Sequence, residues 1–268
     1  MQLLTNALRA KYQILFDTCS VRPERVAEVE AMAKFIATNR ASYDTVSART
    51  DVPWFFIGTL HCMECDPPRF KKHLHNGDPL GARTVQEPVG RPKVWNPPND
   101  WETSAEDALR SEGFAHVSDW SLPAILYRME RFNGFGYRNL PVPIETPYLW
   151  SFSQHYTRGK FVKDKVFSPA AVSQQCGAAV ILRRLAERGT VTFDSNNTPM
   201  VADALSSLAP LVLFSTKKKS DAARRLQEAL NRFDGIFVHI DGIPGRETSN
   251  ALERVTGHFL KGDPRENV

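Results

Sequence analysis

Val52-Pro53-Trp54-Phe55-Phe56-Ile57-Gly58-Thr59-Leu60-His61-Cys62-Met63-Glu64 is the stretch on which the reading of this chain turns. Pro53 stands where a helix tolerates proline best, in the first turn, because the N–H that it lacks would have no intrahelical partner there. The run that follows is apolar and ends on an acid. Glu64 shares a helical face with Ile57 and Leu60, so its carboxyl is expected in apolar surroundings. It also falls at a helix C-terminus, whose partial negative charge disfavours a second one. Both effects raise a carboxyl pKa. A carboxylic acid kept protonated near neutral pH is what protonation of a glycosidic oxygen requires. The alternative is a solvated glutamate at a fraying helix end.

Upstream, Val26, Val29, Met32, Ala33, Ile36 and Ala37 recur at helical spacing and predict a helix over 23–40, followed by a second with Tyr43, Val46 and Ala48 on its apolar face. Downstream, 67–98 is dense in Pro and Gly, and short strand signals over 80–85 predict an exposed β-hairpin. Helical patterning returns over 101–112 and 122–132. Two glycines break it at Asn133-Gly134-Phe135-Gly136-Tyr137, a Pro-rich stretch leads to the aromatic segment 148–152, and a last helix over 169–188 stops at Gly189. The fold class is mainly α (α+β), a helical domain with a small β-hairpin lobe plus a small C-terminal helical module. The expected boundaries are a catalytic domain over 1–189, a linker and connecting helix over 190–219, and the module over 220–268, with helices at 221–230 and from Gly245 onward and strand-like Ile236-Phe237-Val238 between them.

The hairpin supplies the other candidates. His75-Asn76-Gly77-Asp78 is a turn sequence, which puts Asp78 at the hairpin mouth, where a carboxylate could stabilise an oxocarbenium-like transition state while the Thr84 hydroxyl holds an attacking water. The alternative for Asp78 is a turn residue capping its own backbone. Asp66 lies two residues from Glu64 and on a continuing helix would point to another face. Tyr137, Tyr148, Trp150 and Tyr156 are candidates for stacking on sugar rings, and Asn133, Gln86, Ser153 and Gln154 for hydrogen-bonding them, against the alternative that such residues are core.

With 268 residues, 42% of them hydrophobic, the chain can bury a sizeable core, and its formal net charge of +4 favours an acidic polymer as partner. Four scattered cysteines suit reduced thiols; Cys62-x-x-Cys65 has no second half for zinc, and His73-x-His75 lacks a third ligand. No metal and no cofactor is expected. Lys217, Lys218 and Lys219 come without any nucleic-acid-binding motif, so no nucleic acid is expected as partner. The first residues contain no apolar run of signal-peptide or membrane-span length, so the expectation is synthesis in the cytosol and no membrane insertion.

Several segments, in order, resemble a bacterial and phage lysozyme family: HLHNGDPL-x-ARTVQ-x-P-x-GRP from His73, SA-x-DAL from Ser104, YR-x-E-x-FNGFGYR from Tyr127 and YLWSF-x-x-HY-x-x-GK-x-V from Tyr148. The resemblance covers about 43–188. It departs at Cys65-Asp66, where such enzymes favour a small polar residue after the acid, which makes Asp66 a competitor for the catalytic role. The C-terminal string with Leu226-Gln227, Leu230, then Asp241-Gly242-Ile243, Gly245, Thr248 and Ala251-Leu252 resembles the small helical peptidoglycan-binding module of wall hydrolases.

The resemblance implies a monomeric muramidase that cleaves the β-1,4 bond between N-acetylmuramic acid and N-acetylglucosamine in peptidoglycan glycan strands. Glu64 would be the acid, Asp78 the second carboxylate and Thr84 the water-orienting hydroxyl, with Gln86, Asn133, Tyr137, Trp150 and Ser153 as substrate contacts. Such an enzyme acts at the wall or periplasm after release or export. Two rivals stay open: a lytic transglycosylase on the same bond, which needs no second carboxylate, and a non-catalytic or secretion-associated wall-binding protein on the same scaffold.

Overall fold

Apolar residues three and four apart build the helices of this chain, and the computed structural model describes residues 3–65, 68–95, 100–163, 165–193, 205, 208–233 and 236–266. The architecture is mainly α with a small two-stranded antiparallel sheet. Two compact units divide it, Met1–Tyr12 with Val21–Leu185 and Gln13–Ser20 with Ala186–Val268. Among the described residues no helix is long and apolar enough to cross a membrane.

Helix α1 (Asn6–Asp17) buries Leu8 and Tyr12 in the first unit. A 3-10 turn at Pro23–Arg25 leads into α2 (Val26–Thr38), which buries Val29, Ala33 and Ile36, and α3 (Arg40–Thr50) follows. On α3 Tyr43 and Val46 face inward as their spacing predicts, but Ala48 is exposed and Thr50 takes the buried position, its hydroxyl donating to the Val46 carbonyl at 2.8 Å.

Helix α4 (Trp54–Glu64) is buried from Phe56 through Met63 and packs against α2 and α3. Gly58 makes that approach possible. A Cβ there would lie 2.7 Å from Ile36 Cγ2 and 3.1 Å from the Tyr43 ring, inside the distance that packed atoms tolerate. Helix α5 (Trp101–Ser111), capped by Asp100, packs on α3, and α6 (Leu122–Asn133) packs on the short α7 (Pro147–Trp150).

The hairpin is not where the sequence pattern puts it. Strands β1 (Lys160–Lys163) and β2 (Val166–Ser168) pair antiparallel, Lys160 opposite Ser168 and Phe161 opposite Phe167. The 80–85 region forms no strand, because side chains take the backbone groups a ladder would use: Asp78 accepts from the amides of Val85 and Gln86, and Thr84 Oγ1 from that of Arg91.

The expected helix over 169–188 begins only at α8 (Ala178–Glu187). Residues before it spend their amides elsewhere, Gly177 on the Ser151 carbonyl and Ser173 on the Tyr156 hydroxyl. A Cβ on Gly177 would sit 2.2 Å from the Leu149 carbonyl oxygen, so the chain crosses α7 too closely for a side chain.

In the second unit α9 (Asp221–Leu230) and α10 (Arg246–Thr256) enclose a core with Leu226, Leu230, Leu252 and Leu260. Ile236–Val238 forms no strand. The Asn231 side chain exchanges two hydrogen bonds with the Val238 backbone, donating to its carbonyl at 2.8 Å and accepting from its amide. Within the expected turn-rich linker, 194–199 lies outside the described residues, as does Asp66.

Candidate functional site

Glu64 closes α4 with its side chain only partly exposed. Tyr148, at the first turn of α7, donates its hydroxyl to Glu64 Oε1 at 2.7 Å. Oε2 takes no hydrogen bond from the described residues. Burial is the main cause that pushes the Glu64 pKa up, to about 7; the Tyr148 hydrogen bond opposes it and the negative charge of Glu112 adds to it. Burial and the neighbouring Glu64 also hold the Tyr148 phenol well above its usual range, so it stays a donor. With Oε1 accepting from Tyr148, Oε2 is the oxygen left to carry the proton when the carboxyl is protonated.

The loop from His73 to Arg91 folds against this helix end. Gly77, at φ +77°, lies so close that a Cβ would be 2.7 Å from the Glu64 carbonyl oxygen. Three side-chain contacts tie the loop to α5: His73 Nδ1 with Ser104 Oγ at 2.6 Å, His75 Nε2 with Asp107 at 2.9 Å, and Arg91 Nε with the same carboxylate at 2.9 Å. His73 Nε2 meets the Ala82 carbonyl at 2.7 Å, which can only accept, so Nδ1 is the nitrogen that accepts from Ser104. The histidines considered as metal ligands are thus struts.

Asp78 is buried and fully engaged in this loop. Its Oδ2 accepts from the amides of Val85 at 2.8 Å and Gln86 at 3.0 Å and from the Asn76 side chain at 3.2 Å, and its Oδ1 accepts from the Gln86 side chain at 2.9 Å. Burial acts to raise its pKa, but those hydrogen bonds outweigh it and hold the carboxyl below its ordinary value. Thr84 is buried as well; its hydroxyl donates to the Pro88 carbonyl and accepts from the Arg91 amide at 2.9 Å, so the expected water-holding role is corrected to loop closure. Gln86 is solvent-exposed, with its amide turned onto Asp78 instead of toward a ligand.

Beside Tyr148 opens a cavity of about 490 Å³, within the range of small-ligand sites. Tyr137, Tyr148 and Phe161 give it aromatic surface, and Asn133, Ser173 and Gln175 give it polar groups. Lys160, Lys163 and Lys165 on the β1–β2 hairpin line it too. Gln175 links cavity and helix end, its side-chain amide donating to the Met63 carbonyl. The rim segment around Asn133–Tyr137 is anchored from below: Arg138 binds both oxygens of buried Glu130 at 2.7 Å, and Tyr12 donates to the same carboxylate at 2.6 Å.

Of the residues expected to contact substrate, Asn133 and Tyr137 line this cavity. Trp150 and Ser153 do not. Trp150 is fully buried, and Ser153 is buried with its hydroxyl donating to the Trp150 carbonyl at 2.7 Å, so both are corrected from substrate contacts to core. The reading missed Gln175 and the hairpin lysines, and it took Tyr148 for a stacking ring when its hydroxyl is the partner of Glu64. The near-palindrome Lys160-Phe161-Val162-Lys163-Asp164-Lys165-Val166-Phe167 was the available signal for a hairpin. All four cysteines are buried free thiols; burial, with the charge of Glu64 adding, pushes Cys65 up to about 12, which leaves it inert.

Comparison with protein-family models, with curated proteins and with solved structures found no match.

Proposed function

We propose that the chain cleaves the β-1,4 glycosidic bond of peptidoglycan strands, with Glu64 as the proton donor. The observation that carries this reading is Glu64, its pKa raised by burial to about 7 and its Oε1 accepting from Tyr148, which itself lines a cavity with aromatic and amide groups. In the proposed reaction the Oε2 proton passes to the bridging oxygen as its bond to C1 breaks, and the electron pair leaves with that oxygen. Positive charge develops on the sugar ring beside the newly formed Glu64 carboxylate. In hydrolysis a water then adds to C1 and returns its proton to Glu64.

A second reading is favoured by a specific observation. Asp78 and Thr84, the groups expected to handle water, are both engaged within their own loop. A lytic transglycosylase on the same bond needs neither, since a sugar hydroxyl closes an anhydro ring on C1 and hands its proton to Glu64. The second unit is read as a wall-binding module. Its motif residues serve its own turn, since Gln227 Nε2 donates to Asp241, to the Ile243 carbonyl and to Thr248.

Incubating purified sacculi with the wild type and with Glu64→Gln, followed by mass analysis of released fragments, tests both readings. Glycan fragments from the wild type alone are expected. Products one water heavier than anhydro-sugars mean hydrolysis, and anhydro-sugars mean the lytic route. If the wild type releases nothing while still pelleting with sacculi, the non-catalytic wall-binding reading replaces both.

A further inference from the structure

Lys160, Lys163 and Lys165, all from the β1–β2 hairpin, line the cavity beside Tyr148. Lys163 and Lys165 are exposed and Lys160 is partly so. Among the described residues no carboxylate lies within ion-pair distance of any of them and no acid lines the cavity; Asp164, between Lys163 and Lys165 in the sequence, is outside the described residues. Elsewhere in the same unit cations meet carboxylates: Arg138 with Glu130 at 2.7 Å, Lys11 with Glu145 at 2.5 Å, Arg91 with Asp107 at 2.9 Å. Three lysines against the one acid of this stretch, Asp164, leave the ribbon net positive, a field that favours an anion.

The other described polar residues that line the cavity are uncharged. Asn133, Ser173 and Gln175 supply hydrogen-bonding groups suited to sugar hydroxyls and N-acetyl amides, and Tyr137 supplies a ring. The ligand that satisfies both sets of residues is a saccharide carrying carboxylates. A neutral N-acetylglucosamine polymer satisfies only one of them.

Resting on the peptidoglycan reading above, we infer that the β1–β2 hairpin is the specificity element: its lysines bind the carboxylates of the lactyl and stem-peptide groups and so select an anionic glycan over a neutral one. The lysines are binding residues here and take no part in bond cleavage.

The experiment measures calorimetric affinity of the full chain carrying Glu64→Gln for two probes, a muramyl-peptide tetrasaccharide and an N-acetylglucosamine tetramer. The same measurement is made after adding Lys160→Gln, Lys163→Gln and Lys165→Gln. The anionic probe is expected to bind at least about tenfold more tightly at low salt, and that preference is expected to collapse toward unity in the lysine variant and at high salt. Circular dichroism confirms that the variant is folded, and Lys→Arg replacements, which keep the charge, should retain the preference. Equal affinity for the two probes, or a preference that survives the Lys→Gln changes, overturns the inference while leaving Glu64-dependent release from sacculi intact. Failure of the parent reading looks different, since the wild type then releases no fragments from sacculi at all.

Discussion

Glu64 and Asp78 are carboxyl groups on segments in direct contact, yet one carries a single hydrogen-bond donor and the other four. Burial disfavours the charged form of both. At the helix end nothing but Tyr148 offsets it, and the acid keeps its proton to about pH 7. In the loop, two backbone amides and two side-chain amides reverse the balance and the carboxylate stays charged. Burial with few donors raises the one and a full set of donors lowers the other, which separates a group able to give a proton from one that holds structure.

The sharpest way to break that contrast is Glu64→Gln. It keeps the Tyr148 contact but removes the transferable proton, and the rate of glycan release should fall by about 10³-fold with thermal stability unchanged. A variant that kept most of its rate would dismiss Glu64 as the acid. Next in size is Gly77→Ala, which meets a carbonyl at 2.7 Å in a left-handed backbone conformation. It should cost about 1–3 kcal/mol in chemical denaturation and lower activity as the loop lifts from the helix end.

Asp78→Asn sharpens the comparison from the other side. Four donors would face a neutral group, so stability should fall by about 2 kcal/mol, with a rate loss of about tenfold to a hundredfold and no shift of the pH profile. A loss as deep as that of Glu64→Gln would make Asp78 a partner in the chemistry. The smallest effect concerns pH. In the proposed reaction Glu64 acts in its protonated form, so kcat/KM should decline as pH rises through about 7. The Tyr148 hydrogen bond lowers that pKa, so in Tyr148→Phe the alkaline limb should move to higher pH; a move to lower pH would mean that the phenol stabilises the protonated acid instead. The linked stability runs the same way: a carboxyl whose pKa rises on folding favours the folded state most at low pH, and that contribution fades as pH rises through about 7.

The helices carrying strong periodicity were legible in the sequence, as was Glu64 as an acid in an apolar setting. Its cause was read too narrowly, from Ile57 and Leu60 on one face, when α4 is enclosed on all sides from Phe56 to Met63. Helix α1 repeats Leu8, Tyr12 and Phe16 at four-residue spacing, yet the sequence reading weighs the first residues only for an apolar run and expects no helix there. The loop was illegible for a deeper reason. Strand patterning assumes that backbone pairs with backbone, whereas here Asp78 and Thr84 take those amides through side chains, and nothing in the alternation of apolar residues records it. Trp150 and Ser153 failed as site residues because an aromatic or hydroxyl looks the same in a core as in a cleft until the fold is known.

The Tyr12–Glu130–Arg138 cluster has a practical corollary for anyone trimming the protein. A shortened version starting after Tyr12 would retain every residue that borders the cavity, but Glu130 and Arg138 would lose their third member, which lies 118 positions from Glu130 in the chain. Such a truncation should loosen the Asn133–Tyr137 rim from a distance, weakening sugar binding in a preparation whose supposed catalytic core looks complete on paper.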